Sequence, residues 1–134
     1  MKASGQMLSQ SAIYALRALG YLAKNSNGFP ILASEIADKM QIPQNFLSKI
    51  MNRLVQQGYL KSRRGINGGF ALAKPSNEIT MLEIASLFMN TDDFNQCFFG
   101  QPKCDGSCGL HNEWKPVIEK FIEILGENTI EKIL

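Results

Sequence analysis

The chain has 134 residues, 45% of them apolar, and 14 Lys and Arg against 12 Asp and Glu give a formal charge of +2. That length supports one compact domain with a real core and is short for a two-domain enzyme, and the apolar content excludes a disordered tail. No stretch approaches the roughly 20 apolar residues of a membrane span, and the polar start lacks the apolar run of a secretory signal, so a soluble cytoplasmic protein with no membrane partner is expected.

Ser9 is a candidate N-cap before Ala12, Ala15, Leu16, Leu19, Leu22 and Ala23. Their i, i+3, i+4, i+7 spacing predicts a helix of about four turns. The turn formers of 25–30 end it. A short helix over 34–40, a turn at Gln41-Ile42-Pro43 and a second helix over 44–57 follow. Pro43 suits the start of that second helix, where a missing N–H costs little. Phe46, Leu47, Ile50, Met51 and Leu54 form its predicted buried stripe, Ser48, Lys49, Asn52, Arg53 and Gln56 face outward, and Gly58 stops it. Residues 59–64 then read as a strand and 70–73 as another. The glycines of Gly65-Ile66-Asn67-Gly68-Gly69 supply the positive φ angles a hairpin turn needs.

The small net charge hides a division. Residues 1–77 hold ten bases and two acids, giving +8, while 78–134 hold four bases and ten acids, giving −6. Between 44 and 77 stand Lys49, Arg53, Lys61, Arg63, Arg64 and Lys74, with no acid. This split implies a basic surface that meets an anion, nucleic acid first among the options. Helix, turn, helix, then basic hairpin is the order of a winged helix-turn-helix, and the expected fold class is mainly α with a small β-hairpin (α+β). A polar-faced second helix fits a major groove about 12 Å wide. The hairpin offers cations and bare backbone N–H groups to phosphate or to the minor groove. Gln44, Asn45, Ser48, Lys49 and Asn52 are the helix candidates for contact with double-stranded DNA; Arg63, Arg64, Gly68 and Gly69 are those of the wing.

Thr80-x-x-Glu83 is a capping box opening a helix with Met81, Leu82, Ile84, Ala85 and Phe88 on its apolar side. Residues 90–110 read as irregular. A last long helix from about Asn112 carries Trp114, Val117, Ile118, Phe121, Ile122 and Leu125, with Pro116 expected near its first turn and Gly126 expected to break it before the tail 129–134. It shows more apolar surface than so small a domain can cover, which predicts a homodimer reading a palindromic operator. The chain thus divides into a winged helix-turn-helix region, 1–77, and a region of helix, cysteine loop and dimerisation helix, 78–134.

The three cysteines fall within twelve residues as Cys97-x6-Cys104-x3-Cys108, and the single histidine follows at His111. Three thiols and an imidazole make a ligand set, and an odd count argues against a disulfide framework. Zn²⁺ in a closed tetrahedral site and an iron–sulfur cluster on soft thiolates both fit. The rival reading is a zinc-stapled or metal-free structural module that binds a protein partner through its C-terminal helix. A thiol enzyme is the weakest reading, for no separate base, orienting group or phosphate cradle accompanies the cysteines, and no small-molecule substrate is expected.

Ser9-x4-Tyr14-Ala15-Leu16-Arg17-Ala18-Leu19, Glu35-Ile36-Ala37, Phe46-Leu47, Leu54, Arg64-Gly65-x-x-Gly68-Gly69-Phe70-x-Leu72-Ala73-Lys74-Pro75 and Ile79-Thr80-Met81-Leu82-Glu83-Ile84 resemble the Rrf-two family of bacterial transcription regulators. The cysteines, Cys108-x-x-His111 and Trp114 resemble its iron–sulfur-sensing branch. The resemblance implies a homodimeric repressor or regulator whose long C-terminal helices cross at the interface. It also implies a cluster, 2Fe–2S in preference to 4Fe–4S, held by Cys97, Cys104 and Cys108 with His111 as fourth ligand ahead of Asp105 or Glu113, while the cysteine spacing leaves Zn²⁺ as the alternative. Other members draw a carboxylate or histidine from the partner's first helix, but residues 1–34 contain no Asp, Glu or His. Two positions depart from the family pattern. The gap from Cys104 to Cys108 is short, and Ser48 stands where an operator-selecting acidic residue is found in the iron–sulfur assembly regulator.

Overall fold

The computed structural model describes residues 7–26, 29–90 and 109–134. Helix α1 (Gln10–Asn25) begins where the Ser9 hydroxyl accepts from the Ala12 N–H at 3.1 Å, satisfying a donor the helix itself cannot. Its buried residues lie almost all round it, from Ala12 and Ala15 through Leu19 and Gly20 to Leu22. The small ones let other elements approach closely, and α1 touches α2 (Ala33–Met40), α3 (Gln44–Gln56), α4 (Met81–Phe88) and the C-terminal 3₁₀ turn Ile130–Lys132.

The main core joins Leu16, Leu19 and Leu22 of α1 to Ile36, Ile42, Leu47, Met51, Leu54 and Leu60. Ile79, Ile84 and Ile130 complete it, so both halves of the charge division share one interior. A second, smaller cluster forms where α5 (His111–Glu127) lies on α4 and the start of α1, around Ala12, Ala85, Ile118 and Leu125.

Thr80 caps α4 through its hydroxyl, which accepts from the Glu83 N–H at 3.2 Å and donates to the Glu83 carboxylate at 3.1 Å. At the other end of α4, the Ser9 hydroxyl donates to the Phe88 carbonyl at 3.1 Å and Arg53 Nε donates to the Leu87 carbonyl at 3.1 Å.

Three local expectations are corrected. Phe46 is 47% exposed rather than part of the buried stripe, and it meets the Tyr14 ring edge-on with centroids 6.0 Å apart. A helix period marks one face, but Phe46 lies at its margin, against Tyr14. Pro116 lies in the second turn of α5, beyond the first turn. It removes one backbone bond, and the helix persists because burial of Ile118 and Leu125 supports it. Gly126 does not break the helix, which runs to Glu127. What ends α5 is tertiary pairing. Thr129 bridges Thr80, the Met81 N–H donates to the Asn128 carbonyl at 2.9 Å, and the Ile130 N–H donates to the Ile79 carbonyl at 3.0 Å. The tail is therefore a strap, with Ile130 fully buried and Ile133 lying against Gly20 of α1.

Candidate nucleic-acid interface

The turn between α2 and α3 is built by backbone geometry. Gln41 adopts a left-handed conformation (φ 54°, ψ 51°), and the Ile42 N–H returns to the Ala37 carbonyl at 2.9 Å. Ile42 is buried, which pins the corner to the core, and Pro43 begins α3. Tyr21 ties α1 to α2, its hydroxyl donating to the Glu35 carboxylate at 2.9 Å. Burial first, and the carboxylate second, push the Tyr21 pKa up, so the hydroxyl remains a donor at neutral pH. Arg17 adds a second brace, its guanidinium donating to the Met40 carbonyl at the end of α2.

Leu47, Ile50, Met51 and Leu54 anchor α3 in the core, and the opposite face is polar. Gln44, Asn45, Lys49 and Asn52 are exposed and Ser48 is half-buried. Two of these side chains are partly engaged. The Ser48 hydroxyl donates to the Gln44 carbonyl at 3.0 Å, and Asn45 Oδ1 accepts from the Phe46 N–H at 3.0 Å. Asn45 retains its amide donors for a base or a phosphate. Arg53 is exposed as its charge suggests, and it also reaches sideways to α4.

Strands β1 (Leu60–Arg63) and β2 (Gly69–Leu72) pair antiparallel, with Arg63 opposite Gly69 and Leu60 opposite Leu72. Lys61 and Arg63 therefore project to one side of the hairpin. Both are exposed, as is Arg64. Lys74 sits 4.6 Å from the centroid of the Tyr59 ring, a cation–π contact. Burial and then the Glu83 carboxylate raise the Tyr59 pKa.

A third extended segment, absent from the sequence reading, closes the far edge of β2. The Ile31 N–H donates to the Phe70 carbonyl at 2.9 Å and the Phe70 N–H donates back to the Ile31 carbonyl at 2.8 Å. This explains the double glycine. Gly69 has φ +137°, and a Cβ there would lie 2.4 Å from the Ile31 carbonyl oxygen. Gly68 is buried, and its Cβ would lie 2.5 Å from the Arg63 carbonyl oxygen. Both glycines are demanded by the protein's own backbone. At the tip, Ile66 is 90% exposed. Charge and turn reasoning passed it over, although a Gly-x-Asn-Gly turn places its second residue outward.

His111 is the first residue of α5 and is half-buried. Cys97, Cys104 and Cys108 lie outside the described residues. Among the described residues no group of three or more His, Cys, Asp or Glu could hold a metal ion, and no helix is long and apolar enough to cross a membrane. The donor set itself, three thiols and an imidazole ending at the first turn of α5, suits a soft metal centre.

Residues 8–134 match the model of Rrf2, described as an iron-dependent transcriptional regulator. The chain belongs to the Rrf2 family. Among Rrf2 relatives, the HTH-type transcriptional regulator NsrR of Bacillus licheniformis is 35% identical over 127 residues, covering 90% of this chain and 87% of that protein. The regulator IscR of Pectobacterium atrosepticum is 26% identical over 129 residues, covering 95% of this chain and 78% of its own length. The fold is similar to that of CymR, described as the global cysteine regulator of B. subtilis, with a TM-score of 0.77, 21% identity and 94% of each chain covered. The Rrf2 chain is thus a DNA-binding transcriptional regulator rather than an enzyme, with the winged-helix fold of its structural neighbours.

Proposed function

We propose that this Rrf2 protein is a homodimeric, cytoplasmic regulator whose binding to a palindromic operator is controlled by an iron–sulfur cluster. Cys97, Cys104 and Cys108 hold the cluster and His111 completes it, with a 2Fe–2S form favoured over 4Fe–4S. When bound, the cluster supplies a centre sensitive to iron supply, oxidants and nitric oxide. The family's description as iron-dependent and the chemistry of the donor set support this reading.

The observation that carries it is how the chain is anchored on either side of the cysteines. Before them, the carbonyls of Leu87 and Phe88 are held by Arg53 of α3 and by Ser9 at the start of α1. After them, His111 opens α5, whose other end is strapped to the main core through Thr129 and Ile130. A change in how the four ligands are held therefore loads the recognition helix from one side and α5 from the other. Val117 and Ile124 of α5 are 47% and 46% exposed, and this apolar stripe is the surface for the second subunit. A bound cluster shifts the spacing of the two recognition helices only by its differential affinity for the two arrangements.

On the DNA side, Gln44, Asn45, Ser48, Lys49 and Asn52 face the major groove, and Lys61, Arg63 and Arg64 meet phosphates. Gly68 and Gly69 serve by shaping the wing. The reading is tested by anaerobic purification followed by an absorption spectrum and iron, sulfide and zinc analysis. Visible absorption with stoichiometric iron and sulfide, lost in Cys104→Ala, is expected. A Cys104→Ala protein coloured like wild type, or stoichiometric zinc without sulfide, would overturn it. Gel shifts against genomic fragments with and without the cluster then read the coupling to DNA.

A further inference from the structure

The tip of the wing presents an apolar side chain where an ordinary basic hairpin would place a polar one. Ile66 is 90% exposed, more than any other large apolar residue among those described. Single exposed apolar residues are common and need no function. This one is unusual in how much backbone geometry is committed to holding it out. The Gly68 N–H donates to the Gly65 carbonyl at 3.0 Å, closing a four-residue turn with Ile66 second and Asn67 third. Asn67, third in the turn, stands at φ 61°, the positive sign that a type II turn uses at that position. Gly65 stands at φ +91°, and Gly68 has no room for a Cβ. Ile66 is therefore fixed at the end of a braced hairpin, two and three residues beyond Arg64 and Arg63, with Lys61 on the same arm.

A β-branched side chain on a cationic arm fits one surface well. The minor groove of double-stranded DNA is narrow and walled by phosphates, which attract the arm. Where the pairs are A·T its floor carries the adenine N3 and thymine O2 acceptors but no projecting amino group, which leaves room for an aliphatic wedge. At a G·C pair the guanine 2-amino group projects from that floor, and covering it with an isoleucine would strip its water without replacing the hydrogen bond. We infer that Ile66 is a specificity-determining residue of the wing, which enters the minor groove and selects A·T over G·C there. The inference rests on the DNA-binding reading of the fold and adds to it a preference that the cations, attracted to phosphate at any sequence, cannot supply.

The test uses the anaerobically purified full chain and a duplex that it selects from a random pool. Hydroxyl-radical protection locates the pairs beneath the wing. Each A·T pair there is replaced first by G·C and then by inosine·cytosine, which keeps the major-groove pattern of G·C but lacks the minor-groove amino group. For wild type, binding should weaken roughly five- to tenfold at G·C and return to within twofold at inosine·cytosine. Ile66→Ala should bind all three duplexes within about twofold of one another while melting at the wild-type temperature, as expected for so exposed a side chain. An Ile66→Ala variant that still discriminates as wild type does, or a wild type indifferent to the amino group, overturns the assignment while leaving DNA binding intact. Failure of the full chain to select any duplex would overturn the DNA-binding reading and this inference together.

Discussion

Replacing Gly69 by alanine tests whether the wing is held by its pairing with Ile31. Two costs can be read from the structure. The first is conformational, for φ +137° is a region that side chains rarely adopt, and holding one there costs about 1–3 kcal/mol. The second is steric. The new Cβ would lie 2.4 Å from the Ile31 carbonyl oxygen and 2.8 Å from the Leu32 nitrogen. These are backbone atoms on a paired segment, so relief requires that segment to move. Both Ile31–Phe70 hydrogen bonds, at 2.9 and 2.8 Å, would stretch, each contributing about 0.5–1.5 kcal/mol. Alanine also reduces the entropy of the unfolded chain, which returns about 0.4–1 kcal/mol. The net expectation is a loss of about 2–4 kcal/mol by these principles, read by urea denaturation with linear extrapolation. Gly65→Ala is the control. Its φ is +91°, yet nothing lies within 4 Å of the added Cβ, so the conformational cost of about 1–3 kcal/mol remains, offset by the same return of about 0.4–1 kcal/mol from the unfolded chain. The ordering is the decisive result. Gly69→Ala within about 0.5 kcal/mol of wild type, or less destabilising than Gly65→Ala, would refute the reasoning.

Arg64→Ala should lower the slope of log affinity against log salt by about one per bound subunit, across operator and non-operator sequences alike; an unchanged slope would remove Arg64 from the phosphate contacts. Ile130→Ala should cost about 2–5 kcal/mol in chemical denaturation, because the strap places this side chain wholly inside the main core; a near-neutral variant would mean that the tail is not a structural element. Val117→Asp combined with Ile124→Asp should give monomers in sedimentation velocity with unchanged helical content, whereas persistent dimers would place the interface elsewhere. The Tyr21 pKa lies above its ordinary value of 10.0, so its neutral hydroxyl stabilises the fold below about pH 10 and that contribution is lost as pH rises through the folded value. Stability of Tyr21→Phe should accordingly fall less steeply than wild type above about pH 10, and parallel curves would count against a raised Tyr21 pKa.

The elements written most clearly in the sequence are those whose signals are local. Ser9 and Thr80 cap α1 and α4 because a hydroxyl needs only the amide three residues on. The stripe of Leu47, Ile50, Met51 and Leu54 repeats at the helical period, and the same residues line the core. The cation-rich hairpin is legible because charge density and glycine spacing are properties of one short segment. Phe46 was misplaced because a period identifies the centre of a buried face better than its edge. The roles of Gly68 and Gly69 were incompletely read for a different reason. Their constraint comes from Arg63 and from Ile31, the latter 38 residues from Gly69 by sequence number and brought alongside only by folding.

Charge, period and capping chemistry thus determined the winged helix-turn-helix and the polar face of α3, because each depends on residue type and short spacing. Tertiary structure decided the rest. It gave the exposed Arg53 a bond that links α3 to α4, continued α5 through Gly126, and drew the C-terminal tail into the core through Thr129 and Ile130. Those outcomes depend on which distant backbone carbonyls and apolar surfaces come within reach once α1 is surrounded, and no window of sequence contains that information.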